Sequence, residues 1–162
     1  DHLFQHVNGK ERRKEAQQRP ESGSGSYHLM GTSTETRPPA FPPHLKAAPK
    51  IRQMYWCDFP QDAHLPEFWK RRPVIVVSYR NTLSGAVTVI PCSTLDQAGN
   101  PWAVPLSISM TPGVSSWAIC DKPYTVAVSR LFPERAGIPR LPATDFNAIL
   151  SKLLEWLPTP TP

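Results

Sequence analysis

The sequence predicts a mostly β chain, a small closed barrel of short strands with one helix at its C-terminal end. Three observations carry that reading. The 20 prolines are scattered through 162 residues without forming a repeat, which disfavours long helices because proline has no amide to donate and clashes with the preceding turn. From Ile51 onward, short runs rich in valine, isoleucine, threonine and aromatic residues recur between turn residues, as strands do. Only the last stretch changes period. There Phe146, Ile149, Leu150, Leu153, Leu154 and Leu157 repeat at three- and four-residue steps, which makes one apolar helical stripe.

The elements follow in order. Residues 1–50 run from "KERRKEAQQRPE" through "SGSGS" to "RPPAFPPHLKAAPK", a basic tail rich in Pro, Ser and Gly. It holds too few branched apolar residues to offset its ordering entropy, so disorder is expected. Residues 8–19 have the composition of a fraying polar helix, and the proline segment that of an extended arm. Position 1 is not methionine, and Met30 and Met54 lie further in, which leaves the natural start open. A single domain is expected over residues 51–158. "IRQMYWCDF" reads as a first strand and "PQDAHLPEFWK" as a loop. "RPVIVVSYR" and "GAVTVIPC" form a hairpin across "NTLS". "PWAVPLSI" is a fourth strand shortened by its prolines, and "SSWAIC" and "YTVAVSRL" are two more around "DKP". A meander of this kind removes its edges by closing on itself. Thr144 or Asp145 can cap the final helix and Pro158 ends it; its stripe is expected to pack on the sheet, with a partner groove as the other use.

A net charge of +5 and a pI near 9.3 suit a polyanionic partner but also an ordinary protein. Cys57, Cys92 and Cys120 are odd in number and set within or beside apolar runs, which predicts buried thiols in a reducing, cytoplasmic compartment. No C-x-x-C clip or histidine pair is present, so no metal site or other cofactor is expected. Nor does any apolar run approach the ~20 residues of a membrane span, and the first residues lack the long apolar core of a secretory signal.

The candidate chemistry lies around Arg72. Its position before Pro73 pushes its backbone toward extended geometry at the mouth of a strand, and a guanidinium there can grip a phosphate through two parallel hydrogen bonds. A surface ion pair with Glu67 or Asp121 is the structural alternative. Ser93 and Thr94 end the partner strand, where a hydroxyl bonds a phosphate oxygen or caps its own turn. Asp121 in "CDKP", followed by Lys122, can accept a proton or start the turn before Pro123. His64 could act as a general acid, or stand idle in its loop with Glu67. Tyr55, Trp56, Phe68, Trp69, Trp102, Trp117 and Tyr124 exceed what a small core needs, so one or two could stack bases.

In order, "YWCDF", "PEFWKRRPVIVVS", "VTVIPCST" and "ICDKPYTV" with a terminal amphipathic helix resemble the MazF/PemK (Kid) family of toxin endoribonucleases, over about residues 51–157. The resemblance implies an SH3-like barrel, a homodimer, metal-independent cleavage of single-stranded RNA, neutralisation by a cognate antitoxin, and DNA binding only together with that antitoxin. It also implies catalytic roles for Arg72, Ser93 and Asp121, with Thr94, Glu67, His64, Lys122 and Tyr124 as further catalytic or RNA-binding positions. The implied reaction is attack by the substrate's 2′-hydroxyl, with Asp121 taking its proton and His64 or Arg72 protonating the leaving oxygen. The chain departs from the family pattern at Ile119, where PemK-like members carry arginine, and at Pro66, where they carry histidine. Those departures motivate a rival expectation, an inactive homologue or a protein-binding poison of a target such as gyrase.

Overall fold

A computed structural model describes residues 36–162; the expectations for residues 1–35, including the polar helix at 8–19, lie outside them. The elements are β1 (Met54–Cys57), β2 (Arg72–Val76), β3 (Ala86–Ser93), β4 (Ala103–Leu106), β5 (Ser116–Ile119), β6 (Tyr124–Ala127), a 3₁₀ turn (Val128–Arg130), β7 (Leu131–Phe132) and α1 (Ala143–Trp156). All pairings are antiparallel. The path through the sheet is β4-β5-β3-β2-β1-β7, with β6 also on β3. β6 and β7 therefore lie at opposite ends of the run β6-β3-β2-β1-β7, yet a three-residue turn joins them. So short a link brings the two ends together and closes the sheet as a barrel, leaving few free edges.

The apolar run of β2 does not alternate because both of its faces are covered. Val74 and Val76 point into the barrel with Tyr55, Cys57, Val87, Val89, Val126 and Leu131. Ile75 points the other way, into a second core with Met54, Ile90, Cys92, Ala118 and Leu141, which Phe146 and Ile149 of α1 close from outside. The helical stripe thus packs on the sheet as its period predicts, although Leu154 at 66% and Leu157 at 41% stay exposed.

Three expectations need correction. The compact unit begins at Pro39, ahead of Ile51: Leu45 is buried in the barrel core and His44 stacks on Phe132 with ring centroids 4.1 Å apart. The run "YTVAVSRL", expected as one strand, is divided: β6 ends at Ala127, Val128–Arg130 form the 3₁₀ turn, and Leu131 begins β7. Neither Thr144 nor Asp145 caps α1, whose N-cap is Pro142 without a side-chain bond. Asp145 instead accepts hydrogen bonds from the Ser107 N–H and Oγ–H, both at 2.7 Å, and ties the first helical turn to the end of β4.

All three thiols are free and buried, and burial pushes each to a pKa of about 12 from an ordinary 9.0. The fold therefore favours the protonated thiols. Their contribution to stability is complete below pH 9, where the unfolded chain keeps its thiols protonated too, and is lost as pH rises toward 12. Native protein is expected to leave a thiol reagent unreacted at pH 8 and to titrate three thiols in denaturant; a thiol reacting in the native state would contradict their burial. Ile149→Ala, which empties the helix–sheet core, is expected to cost about 2–5 kcal/mol. Leu154→Ala should stay within about 0.5 kcal/mol, both read from denaturant unfolding curves.

Candidate active site at the barrel mouth

Arg72 opens β2 on the face of Val74 and Val76, at the rim of the barrel interior. Its guanidinium carbon lies 4.6 Å from the centroid of the Phe68 ring, a contact that holds a cation without using its N–H groups. Phe68 belongs to a ring cluster with Phe59 and Tyr124, with centroids 5.0–6.1 Å apart. The Phe68 N–H also donates to the Tyr124 hydroxyl at 3.1 Å, so the loop is fastened to β6 directly beneath the arginine. Arg72 Nε is buried with no hydrogen-bond partner among the described residues. Burial lowers its pKa, but a guanidinium stays charged at any physiological pH.

The neighbouring arginine is used differently. Arg71 donates from Nε and Nη2 to the two carboxylate oxygens of Asp58, at 2.6 and 3.0 Å, and lies over Phe132. The hydrogen bond from Arg71 holds the Asp58 carboxyl below its usual range. Neither Glu67 nor Asp121 pairs with Arg72, so the ion-pair alternative for it is not what the structure adopts. Glu67 is occupied locally: its carboxylate accepts the His64 N–H at 2.8 Å and its own N–H donates to the His64 carbonyl at 2.7 Å.

The outer edge of β3 is shared. Ala86–Val89 pair with β6, and Cys92 and Ser93 pair with β5. The turn from β5 to β6 carries Asp121 and Lys122 and therefore sits beside the gap between the two ladders. Asp121 Oδ1 is buried there without a partner among the described residues. An open cleft of about 250 Å³ adjoins it, lined by Pro66, Glu67, Asp121, Lys122, Pro123, Tyr124 and Trp156. Four of the residues singled out from sequence thus meet in one cleft, and Arg72 stands one ring away through Phe68.

The others are placed differently. Continuing the β2–β3 register by two residues brings Ser93 opposite Arg72. Its Oγ accepts the Leu95 N–H at 3.2 Å, the turn-capping use, which leaves the hydroxyl proton free to donate. Thr94 and His64 are exposed and do not line the cleft. Ile119 is buried at the end of β5, opposite Ala103, and brings no polar group to the mouth. Among the described residues, no three His, Cys, Asp or Glu side chains cluster as a metal site would require, and no helix is long and apolar enough to cross a membrane.

Sequence reasoning overlooked one feature of the site and left the use of a second open. Phe68 was visible only as one aromatic among seven; its use as the seat of Arg72 depends on a loop with no period. Trp156 sits off the apolar stripe of α1, and its offset was the available signal that it faces something other than the core.

Asp121 holds a buried, unsatisfied oxygen at an open cleft, and Arg72, one ring away over Phe68, holds a buried, unsatisfied Nε, which is the arrangement of a site for a polar ligand. The profile of the PemK-like, MazF-like toxin of type II toxin-antitoxin systems matches residues 50–157. The crystal structure of MazF (Form-I) from Deinococcus radiodurans superposes with a TM-score of 0.52 at 21% identity, covering 67% of this chain and 94% of that one, and shares the barrel-and-helix fold. The Mycobacterium tuberculosis toxin MazF-mt6 aligns at a TM-score of 0.49 and 23% identity, over 65% of this chain and 95% of its own. An endoribonuclease from a mycobacterial species aligns at 0.49 and 22%, over 70% and 96%. No curated protein matches the chain significantly. With a fold shared with MazF and a family match over most of its length, the chain belongs to the PemK-like, MazF-like toxins of type II toxin-antitoxin systems.

Proposed function

We propose that the protein is a metal-independent endoribonuclease that cleaves single-stranded RNA at the barrel mouth. One observation carries the reading: Asp121 Oδ1 is buried and unpartnered at the cleft, and Arg72 Nε, of opposite charge and set one ring away over Phe68, is buried and unpartnered as well. A buried group in that state costs free energy unless something binds it. A phosphodiester flanked by a 2′-hydroxyl satisfies both, since it brings acceptor oxygens to the guanidinium and a proton donor to the carboxylate.

In this reading Asp121 takes the 2′-hydroxyl proton as that oxygen attacks the adjacent phosphorus. Arg72 faces the charge that builds on the phosphoryl oxygens, where preorganised donors give most of their leverage. Ser93 donates its free hydroxyl proton to the same group. The bond from phosphorus to the 5′-oxygen then breaks. Tyr124, whose oxygen is filled by the Phe68 N–H, has its phenol proton available for the departing oxygen. The products are a 2′,3′-cyclic phosphate and a 5′-hydroxyl. Lys122 and the exposed face of Trp156 supply charge and a stacking surface for the flanking nucleotides. The net charge of +5 supports a polyanionic substrate, and family membership supports a cytoplasmic toxin, a second copy of the chain and a cognate antitoxin as partners.

Cleavage of single-stranded RNA in EDTA, with product ends identified by mass spectrometry, tests this. Arg72→Ala is expected to lower the rate by about 10²–10³-fold. Arg72→Lys should recover only part of it, because an ammonium lacks the paired donors. Undiminished cleavage by Arg72→Ala with its fold intact would remove Arg72 from the site. Asp121→Asn is expected to cost about 10²–10⁴-fold, the usual worth of a positioned base; undiminished cleavage with the fold intact would remove the base assignment. RNA binding with no product at any enzyme concentration would instead favour the inactive homologue.

A further inference from the structure

β2 has a second end, and it carries a second cleft. Lys50, Arg80 and Arg140 line an open hollow of about 350 Å³ with Ala48, Pro49, Ile51, Ser78, Tyr79 and Asn81. Three cations share it with no carboxylate in the lining, and none of the three forms an ion pair among the described residues. Tyr79 is 77% exposed, an unusual cost for a ring with no packing role.

The hollow is held in shape by hydrogen bonds. The Asn81 side-chain amide donates to the Pro49 carbonyl at 3.0 Å and to the Ser78 carbonyl at 2.8 Å, and its oxygen accepts the Ser78 hydroxyl at 2.6 Å. Ser78 Oγ in turn accepts the Thr88 N–H. The β2–β3 turn is thereby fastened to the segment before β1. Arg140 is bridged to Gln53, which joins the third wall.

Backbone strain points to the same place. Among the described residues, Arg52 (φ 70°) and Arg80 (φ 54°) alone among non-glycine residues have positive φ. Glycine or asparagine fills such positions with less strain. Arg80 lines the hollow, and Arg52 directly follows its lining residues Lys50 and Ile51, with its Nε spent on the Leu141 carbonyl at 2.9 Å. Strain of this kind persists where a site needs the side chain that causes it.

We infer that this hollow is a second binding site for single-stranded RNA, gripping the phosphodiester backbone with Lys50, Arg80 and Arg140 and stacking a base on Tyr79. The inference rests on the reading above that single-stranded RNA is the substrate. The hollow lies at the opposite end of β2 from Arg72, so one strand of RNA running along the barrel engages both sites. Cations grip the backbone whatever its sequence, while an aromatic face prefers an unpaired base to a duplex.

The test uses the full chain carrying Arg72→Ala, to limit cleavage, and fluorescence anisotropy with a labelled oligouridine long enough to span the barrel. Adding Lys50→Ala, Arg80→Ala and Arg140→Ala is expected to weaken binding at least about tenfold at low salt. The slope of log K against log salt should fall by about 2, since each lost phosphate contact on a single strand removes roughly 0.7. Tyr79→Ala should weaken binding without changing the slope. Arg80→Gly serves as the folding control: relief of the positive φ should raise Tm while affinity falls. Unchanged affinity and slope in the triple variant would overturn the site. Equal loss of affinity for a duplex DNA of the same length would overturn its assignment to single strands. Wild type that binds through this hollow but leaves RNA intact refutes the nuclease and keeps the site; wild type that cleaves RNA with affinity indifferent to the triple change does the reverse.

Discussion

Among the described residues β3 alone pairs with three strands, and the division of its outer edge organises the barrel mouth. A strand can satisfy only one neighbour at each position along an edge. β6 takes the first half and β5 the last two residues, which leaves Ile90 and Pro91 between the two ladders. Pro91 suits that gap because it has no N–H to leave unpaired. The chain must cross there from β5 to β6, and the crossing delivers Asp121 to a place where the backbone has stopped competing for space. Barrel closure and site assembly are thus two results of one pairing choice.

Two adjacent arginines show how environment assigns roles to identical side chains. Arg71 spends its Nε and Nη2 on a forked pair with Asp58 at the surface, a contact of modest energetic value in water. Arg72 is seated on an aromatic ring and keeps a buried donor unspent. The three-ring cluster beneath does the remaining work of positioning, since aromatic packing restricts the guanidinium without consuming its hydrogen bonds.

Long-period features were legible in the sequence and single contacts were not. The β2–β3 hairpin could be read because Pro73, the "NTLS" turn and two apolar runs agree, and α1 because six apolar residues share one stripe. β7 has two residues, too few to show any period. Leu45 and Pro49 pack from within a proline-rich stretch whose composition alone suggests a free tail. Asp145 has the identity of a cap, but its nearest donors belong to Ser107, far away in sequence. At the site, Arg72, Ser93 and Asp121 were recognisable as residue types at strand ends. That the carboxylate and the guanidinium would each be left unpaired is a fact about tertiary burial, which no local pattern encodes.

The burial of β2 on both faces has a consequence for alignment of the strand. Val74, Ile75 and Val76 are close in size, so sliding the strand by one residue would exchange the contents of the two cores at little hydrophobic expense. The slip would turn Arg72 from the rim of the interior to the opposite face and move Pro73 away from Trp56. What pins the frame is therefore the polar start of the strand: the Asp58 fork on Arg71, the ring under Arg72 and the imino acid that follows. In this barrel the arginine pair and the proline that open β2 act as the index mark by which the most hydrophobic strand finds its place.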